Sequence, residues 1–507
     1  MTDNSERIKE LEWALECASR IIVKKQESCS RQLRKLLAAE GAVQDLKRQV
    51  AEKDDILRKI VGFSCQIRGM NGRSSRPQTI SSKVSVVIPV KNGGEQLSQL
   101  LGVIRSQKKV EDVEIIVLDS ESMDNSVQIA GEFGAKVITI PQSEFNHGRT
   151  RNIGAAEASG DYIVFTVQDA TPVSNYWLYN MICPFVGYPE LAALSTRQFT
   201  RPEADLFSLW ANDIMTKSLG FEGDTIYSLS ENAGDIDWRL FDNVTKRRLT
   251  FFDNVSSCVR RDVFAKTQFS PLINAEDIDF GVKLLEKRMP IGYLTSTGVY
   301  HWHEKGADDV FKRNYIGTKA QIYTLKNDLP HFFDTNDISW QDLMESCTGL
   351  YDLINVSIAE SGGVASDPLT AIKSFINLFQ KNMELSPDRI EMKMKKTKVS
   401  EHDGLGSLIK QLTKDMAFTP ERRYNFKKNL FISTFMTHFK EFAEYLYNNQ
   451  RTLKDREKEF VSSIYKIFAM AAGNGTGLYH IELEASKRLT PELKIIDRLL
   501  GKGVCYS

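Results

Sequence analysis

The chain has 507 residues, 42% of them apolar, which exceeds one ordinary core and calls for two to four folding units at roughly 150 residues each. Lys plus Arg and Asp plus Glu both number 66, so a zero net charge makes no global electrostatic case for nucleic acid. The seven cysteines are scattered with no Cys-x-x-Cys pair, which argues against a zinc site or disulfide framework and for reduced thiols in the cytosol. No apolar run reaches the roughly 18 residues that span a bilayer, and the charged start MTDNSERIKE lacks a signal core. The expectation is a cytoplasmic protein, with any membrane contact peripheral at the inner face of the cell membrane.

Residues 5–62 read as one long helix. Apolar or small residues recur every seven positions from Ile8 through Leu15 and Ile22 to Leu57, and a second series follows three later, from Leu11 to Ile60. This heptad pattern predicts a coiled coil over 1–62 and self-association through 5–62. Lys25, Gln32 and Lys53 interrupt the second series and weaken the seam. A Gly/Ser/Pro-rich linker is expected over 63–82.

From 83 to 332 strands and helices alternate. Strands are predicted at 84–90, 113–118, 136–140, 161–167, 191–197, 255–259 and 291–300. The early ones are continuous Val/Ile runs, as in a mostly parallel, Rossmann-like sheet covered on both faces. From 333 to 507 helical periodicity takes over and an all-α domain is expected, with RIEMKMKKTKVS (389–400) as a solvated loop or helix face.

Ligands of open parallel sheets sit at the carboxyl ends of the strands. Pro89 and Asn92 in VIPVKNGG end the first strand, where small residues let a backbone approach a ligand and a helix N-terminus faces phosphate. Asp119 ends the second strand, where it can accept from a base or ribose; Asp124 is read as a helix cap. His147, Arg149, Arg151 and Asn152 cluster in FNHGRTRNIG at a loop-to-helix junction, where two guanidinium groups suit a diphosphate. Asp169 follows DYIVFTVQ; a carboxylate ending a buried strand is costly unless paired or metal-bound. Further on, NAEDIDFG supplies Glu276, Asp277 and Asp279 at a helix start, candidates for a general base or merely for capping. VYHWHEK places His301 and His303 two apart, on one strand face.

In this order, HGRTRN (147–152), QDA (168–170), Arg197-Gln198, FDNVSSCVRRDVF (252–264), AEDIDFG and the His-x-His end resemble family 2 glycosyltransferases, most closely rhamnosyltransferase-like members. The resemblance covers roughly 83–305 and implies a GT-A fold. It further implies an inverting enzyme that moves a sugar from a dTDP-rhamnose-like or UDP-hexose donor to a hydroxyl of a glycan or polyprenyl-linked acceptor in bacterial surface polysaccharide synthesis.

It assigns donor contacts to Pro89, Asn92, Asp119, His147, Arg151, Asn152, Gln168, Arg197 and Asn254. The base would be Asp277 in the Glu276-Asp277 pair. Asp169 would hold Mn²⁺ or Mg²⁺ with His301, or His303 in its place. The first Asp of the family's Asp-x-Asp motif is replaced by Val167, which cannot bind metal. That departure motivates a second reading, a non-catalytic nucleotide- or glycan-binding scaffold assembled by its coiled coil.

Overall fold

The computed structural model describes residues 65–70, 77–229, 237–301, 303, 305–326, 338–397, 404–414 and 416–501. The expected coiled coil over 1–62 lies outside them.

Ten strands form one sheet: β1 (Cys65–Gly69), β2 (Val84–Val90), β3 (Val113–Asp119), β4 (Lys136–Thr139), β5 (Tyr162–Thr166), β6 (Thr171–Pro172), β7 (Ala193–Phe199), β8 (Thr225–Leu229), β9 (Ser256–Arg260) and β10 (Ile291–Tyr300). Their order is β1-β8-β10-β7-β9-β5-β2-β3-β4, with β6 against β10. The apolar run VSVVIPV is buried on both faces of β2, as the sequence requires of a strand between helical layers.

The predicted mostly parallel sheet is corrected to a mixed one. β5, β2, β3 and β4 are mutually parallel, but β9 runs antiparallel to both β5 and β7. The physical reason is where the chain enters β9: Asp253 lies in the cavity at the carboxyl end of the parallel strands, so the strand that follows must run back. β1, drawn from the expected linker, pairs antiparallel with β8.

After β10 every described element is a helix. The helix Ala307–Leu325 packs against Glu457–Ala485 through glycine: a Cβ on Gly473 would sit 2.4 Å from the carbonyl oxygen of Phe311. Leu206, Phe207 and Trp210, from the helix that follows β7, share one apolar core with these later helices. The basic stretch expected as loop or helix face begins with the helix Pro387–Lys396. Among the described residues no helix is long and apolar enough to cross a membrane.

Candidate active site

A cavity of about 370 Å³ opens at the carboxyl ends of β2, β5 and β10. It gathers ten of the fourteen expected site residues into one space: Pro89, His147, Arg151, Gln168, Asp169, Asn254, Glu276, Asp277, His301 and His303 all line it. Four do not, namely Asn92, Asp119, Asn152 and Arg197.

Asp169 and the histidines meet because of β6, two residues long, whose Thr171 pairs with Tyr300 of β10. That bridge sets Asp169 beside His301 and His303. Nε2 of His301 is 3.6 Å from Oδ1 of Asp169, and Nδ1 of His303 is 3.5 Å from Oδ2. One ligand atom from each of the three lies within 4.8 Å of the others. Burial lowers the pKa of His301. Burial and then the neighbouring His301 hold His303 down at about 4, so both rings are neutral at pH 7. Gln198 Oε1 lies 2.8 Å from His301 Nδ1, so Nε2 is left to face the carboxylate. Two neutral imidazoles and one carboxylate are a donor set for a divalent ion. Val167 also lines the cavity, with an apolar side chain.

Asp277 lies at the cavity wall, in the first turn of the helix Glu276–Glu286. Burial, then the charges of Glu276 and Asp253, push its carboxyl up to about 7, while Arg247 pulls the other way. Glu276 is committed elsewhere. Its Oε1 accepts from Asn254 Nδ2 at 3.1 Å and from Arg151 Nη1 at 3.4 Å, and Arg151 also donates to the His147 carbonyl. Glu276 therefore orients its neighbours Asn254 and Arg151 beside Asp277.

Several expected donor contacts are structural staples. Asn92 Oδ1 accepts from Met123 N, which fixes a left-handed turn at φ 50°. Asn152 bonds both the N–H and the C=O of Phe269. Arg197 lies over Phe199, its guanidinium carbon 4.8 Å from the ring centre. Arg149 turns outward to Glu144. Gln168, although at the cavity, bonds the N–H and C=O of Lys91.

The helix N-termini expected to face phosphate are also occupied. Asn146 accepts from Gly148 N and Arg149 N, and Ser126 Oγ takes Gly93 N and Gly94 N. Asp119 is buried behind the cavity wall formed by Ser120. Its Oδ2 accepts from Ser122 N, and its Oδ1 has no hydrogen-bond partner among the described residues.

Three charged cavity residues escape the sequence reading: Lys91, Asp253 and Arg313. Asp253 adjoins Asn254 in a motif already singled out. Arg313 sits mid-helix in Ala307–Leu325 and carries no local signal.

A mixed sheet with a carboxylate and a histidine pair at its strand ends and a second carboxylate across the cavity defines a GT-A-like domain. Residues 85–234 match the model for glycosyl transferase family 2. O-antigen chain rhamnosyltransferase RfbN of Salmonella typhimurium is 27% identical over 237 residues, 46% of this chain and 70% of its own length. O-antigen chain rhamnosyltransferase WbaN of Salmonella anatum is 24% identical over 273 residues, 53% of this chain and 72% of its own. Among solved structures, the mannosyltransferase PcManGT from Pyrobaculum calidifontis, in complex with GDP-Man and Mn²⁺, covers 79% of this chain and 89% of its own at 12% identity and a TM-score of 0.40. Residues 85–234 thus match glycosyl transferase family 2, and the chain resembles O-antigen rhamnosyltransferases.

Proposed function

We propose that the protein transfers a sugar, with rhamnose the first candidate, from a nucleoside diphosphate to a hydroxyl of a glycan or polyprenyl-linked acceptor in bacterial surface polysaccharide synthesis. The two O-antigen rhamnosyltransferase relatives support that substrate class. One observation carries the mechanism: Asp277, with its carboxyl at about 7, shares a single cavity with Asp169, His301 and His303.

Asp277 takes the proton of the acceptor hydroxyl, since a carboxylate poised near the working pH is a competent base. The freed oxygen attacks the anomeric carbon, the bond to the diphosphate breaks, and configuration inverts. Asp169, His301 and His303 hold a divalent cation, with Mn²⁺ favoured over Mg²⁺ because two of the three donors are imidazole nitrogens. When bound, that ion neutralises charge on the leaving diphosphate. Asp119, buried behind Ser120 with Oδ1 unpartnered among the described residues, receives a base N–H or a ribose hydroxyl once Ser120 shifts on donor binding. Glu276 keeps Arg151 and Asn254 in place beside Asp277.

The test is an assay of the full chain and Asp277→Asn with dTDP-rhamnose, UDP-hexoses and UDP-N-acetylhexosamines on lipid-linked acceptors. Transfer by the wild type that collapses in the variant is the expected result. Nucleotide binding without transfer or hydrolysis on any donor would favour the scaffold reading. Self-association through 5–62 is proposed from the heptads alone. Light scattering on the chain with and without 1–62 should show a multiple of the monomer mass only in the longer form.

A further inference from the structure

Gln198, the last residue but one of β7, lies in register with Val299 of β10. His301 follows Val299 by two and keeps to its face, so Gln198 meets the histidine while Arg197, one residue earlier, points the other way. The side chains of Gln198 and Asp253 join directly, with the Gln198 amide nitrogen donating to Oδ2 of Asp253. Asp253 is itself held: its Oδ1 accepts from Val255 N at 2.9 Å, and its own N–H donates to Ser195 Oγ at 3.1 Å.

These bonds leave no freedom of sense. Oδ1 of Asp253 is taken by Val255 N and its Oδ2 receives the Gln198 amide nitrogen, so the NH₂ of Gln198 faces Asp253. The amide oxygen of Gln198 must then face His301, whose Nδ1 lies 2.8 Å away and must carry the proton. A neutral His301 therefore presents the bare Nε2 lone pair to Asp169, 3.6 Å from its Oδ1. Two lone pairs facing each other across that gap repel unless a cation lies between them.

We propose that Gln198, locked by Asp253, is a positioning residue that selects the Nδ1–H tautomer of His301 and so makes Nε2 a metal ligand. It rests on the proposed cation site and assigns the pair Gln198–Asp253 the task of orienting a ligand. The same logic predicts an inversion. In Asp253→Asn, residue 253 keeps Oδ1 for Val255 N and turns its NH₂ to Gln198. Gln198 then flips, donates to His301 Nδ1, and moves the proton to Nε2.

The experiment is long-range ¹H–¹⁵N correlation on the metal-free full chain labelled at histidine, with His301 assigned by its loss in His301→Gln. Calorimetric titration with Mn²⁺ alone accompanies it. The wild type should show Nδ1–H at residue 301, and Asp253→Asn should show Nε2–H. Mn²⁺ affinity should fall roughly 10- to 100-fold in Asp253→Asn and in Gln198→Met. An Nε2–H tautomer in the wild type, or unchanged Mn²⁺ affinity in both folded variants, would overturn the proposal. If the wild type binds no Mn²⁺, the cation site fails as a reading. The tautomer measurement, which needs no variant at position 198, still decides the role of Gln198.

Discussion

The two walls of the cavity are built on opposite principles. On and behind the wall from β2, β3, β5 and the helix His147–Ala156, polar side chains are spent on the protein's own backbone. Asn92 holds Met123, Gln168 holds Lys91, and Asn152 holds Phe269. On the wall from Asp253 to His303, like groups face one another. Asp277 is crowded by Glu276 and Asp253, and His303 by His301. The first wall is a shape held by satisfied hydrogen bonds; the second stores unfavourable electrostatics that a proton, a cation or a substrate relieves. A polar residue at a strand end is thus not by itself a ligand contact.

Substitutions should separate the walls. The largest effect is expected at Asp277: Asp277→Asn should lower kcat by roughly 10²- to 10⁴-fold, in single-turnover transfer, with the fold intact by circular dichroism. On the other wall, Asn152→Leu should instead cost stability, roughly 2–4 kcal/mol in denaturant unfolding, because it leaves both backbone groups of Phe269 unpaired.

The pH dependence sharpens the contrast. The base works ionised, so kcat/KM should rise with pH and level off above about 7. A carboxyl raised in the folded state gives stability that is full below the ordinary carboxylate range and is lost as pH rises through about 7. Asp277→Asn should therefore melt higher than the wild type at pH 8 and no differently near pH 4, in thermal scans. The smallest effect is on that limb itself: Asp253→Asn removes a negative neighbour and should move it to lower pH.

Much of this was legible in the chain. The Val/Ile runs placed β2, β3 and β5 within a residue or so, because a doubly covered strand leaves a continuous apolar signature. Asp169, Asp277, His301 and His303 were singled out because their motifs occur together in one order, and the structure brings them to one cavity. What escaped depends on contacts distant in sequence. β6 is two residues long, too short for any periodicity, yet it joins Asp169 to His301. Arg313 lies on a helix whose placement is set by the Gly473 and Gly477 contacts more than 150 residues further on, an interval no local pattern spans. The contacts of Asn152 with Phe269 and of Arg197 with Phe199 were not legible for a related reason: residue type fixes what a side chain can bond, whereas pleat and register decide which face it meets.

The central claim is that the charged wall holds a cation that in turn holds the diphosphate. Calorimetric titration of the wild type and Asp169→Ala with UDP and with dTDP, each with and without Mn²⁺, tests it most directly. The account predicts nucleotide binding that Mn²⁺ strengthens in the wild type, with that gain lost in Asp169→Ala. Equal binding with and without Mn²⁺ in the wild type, or a gain that survives in the variant, would contradict it.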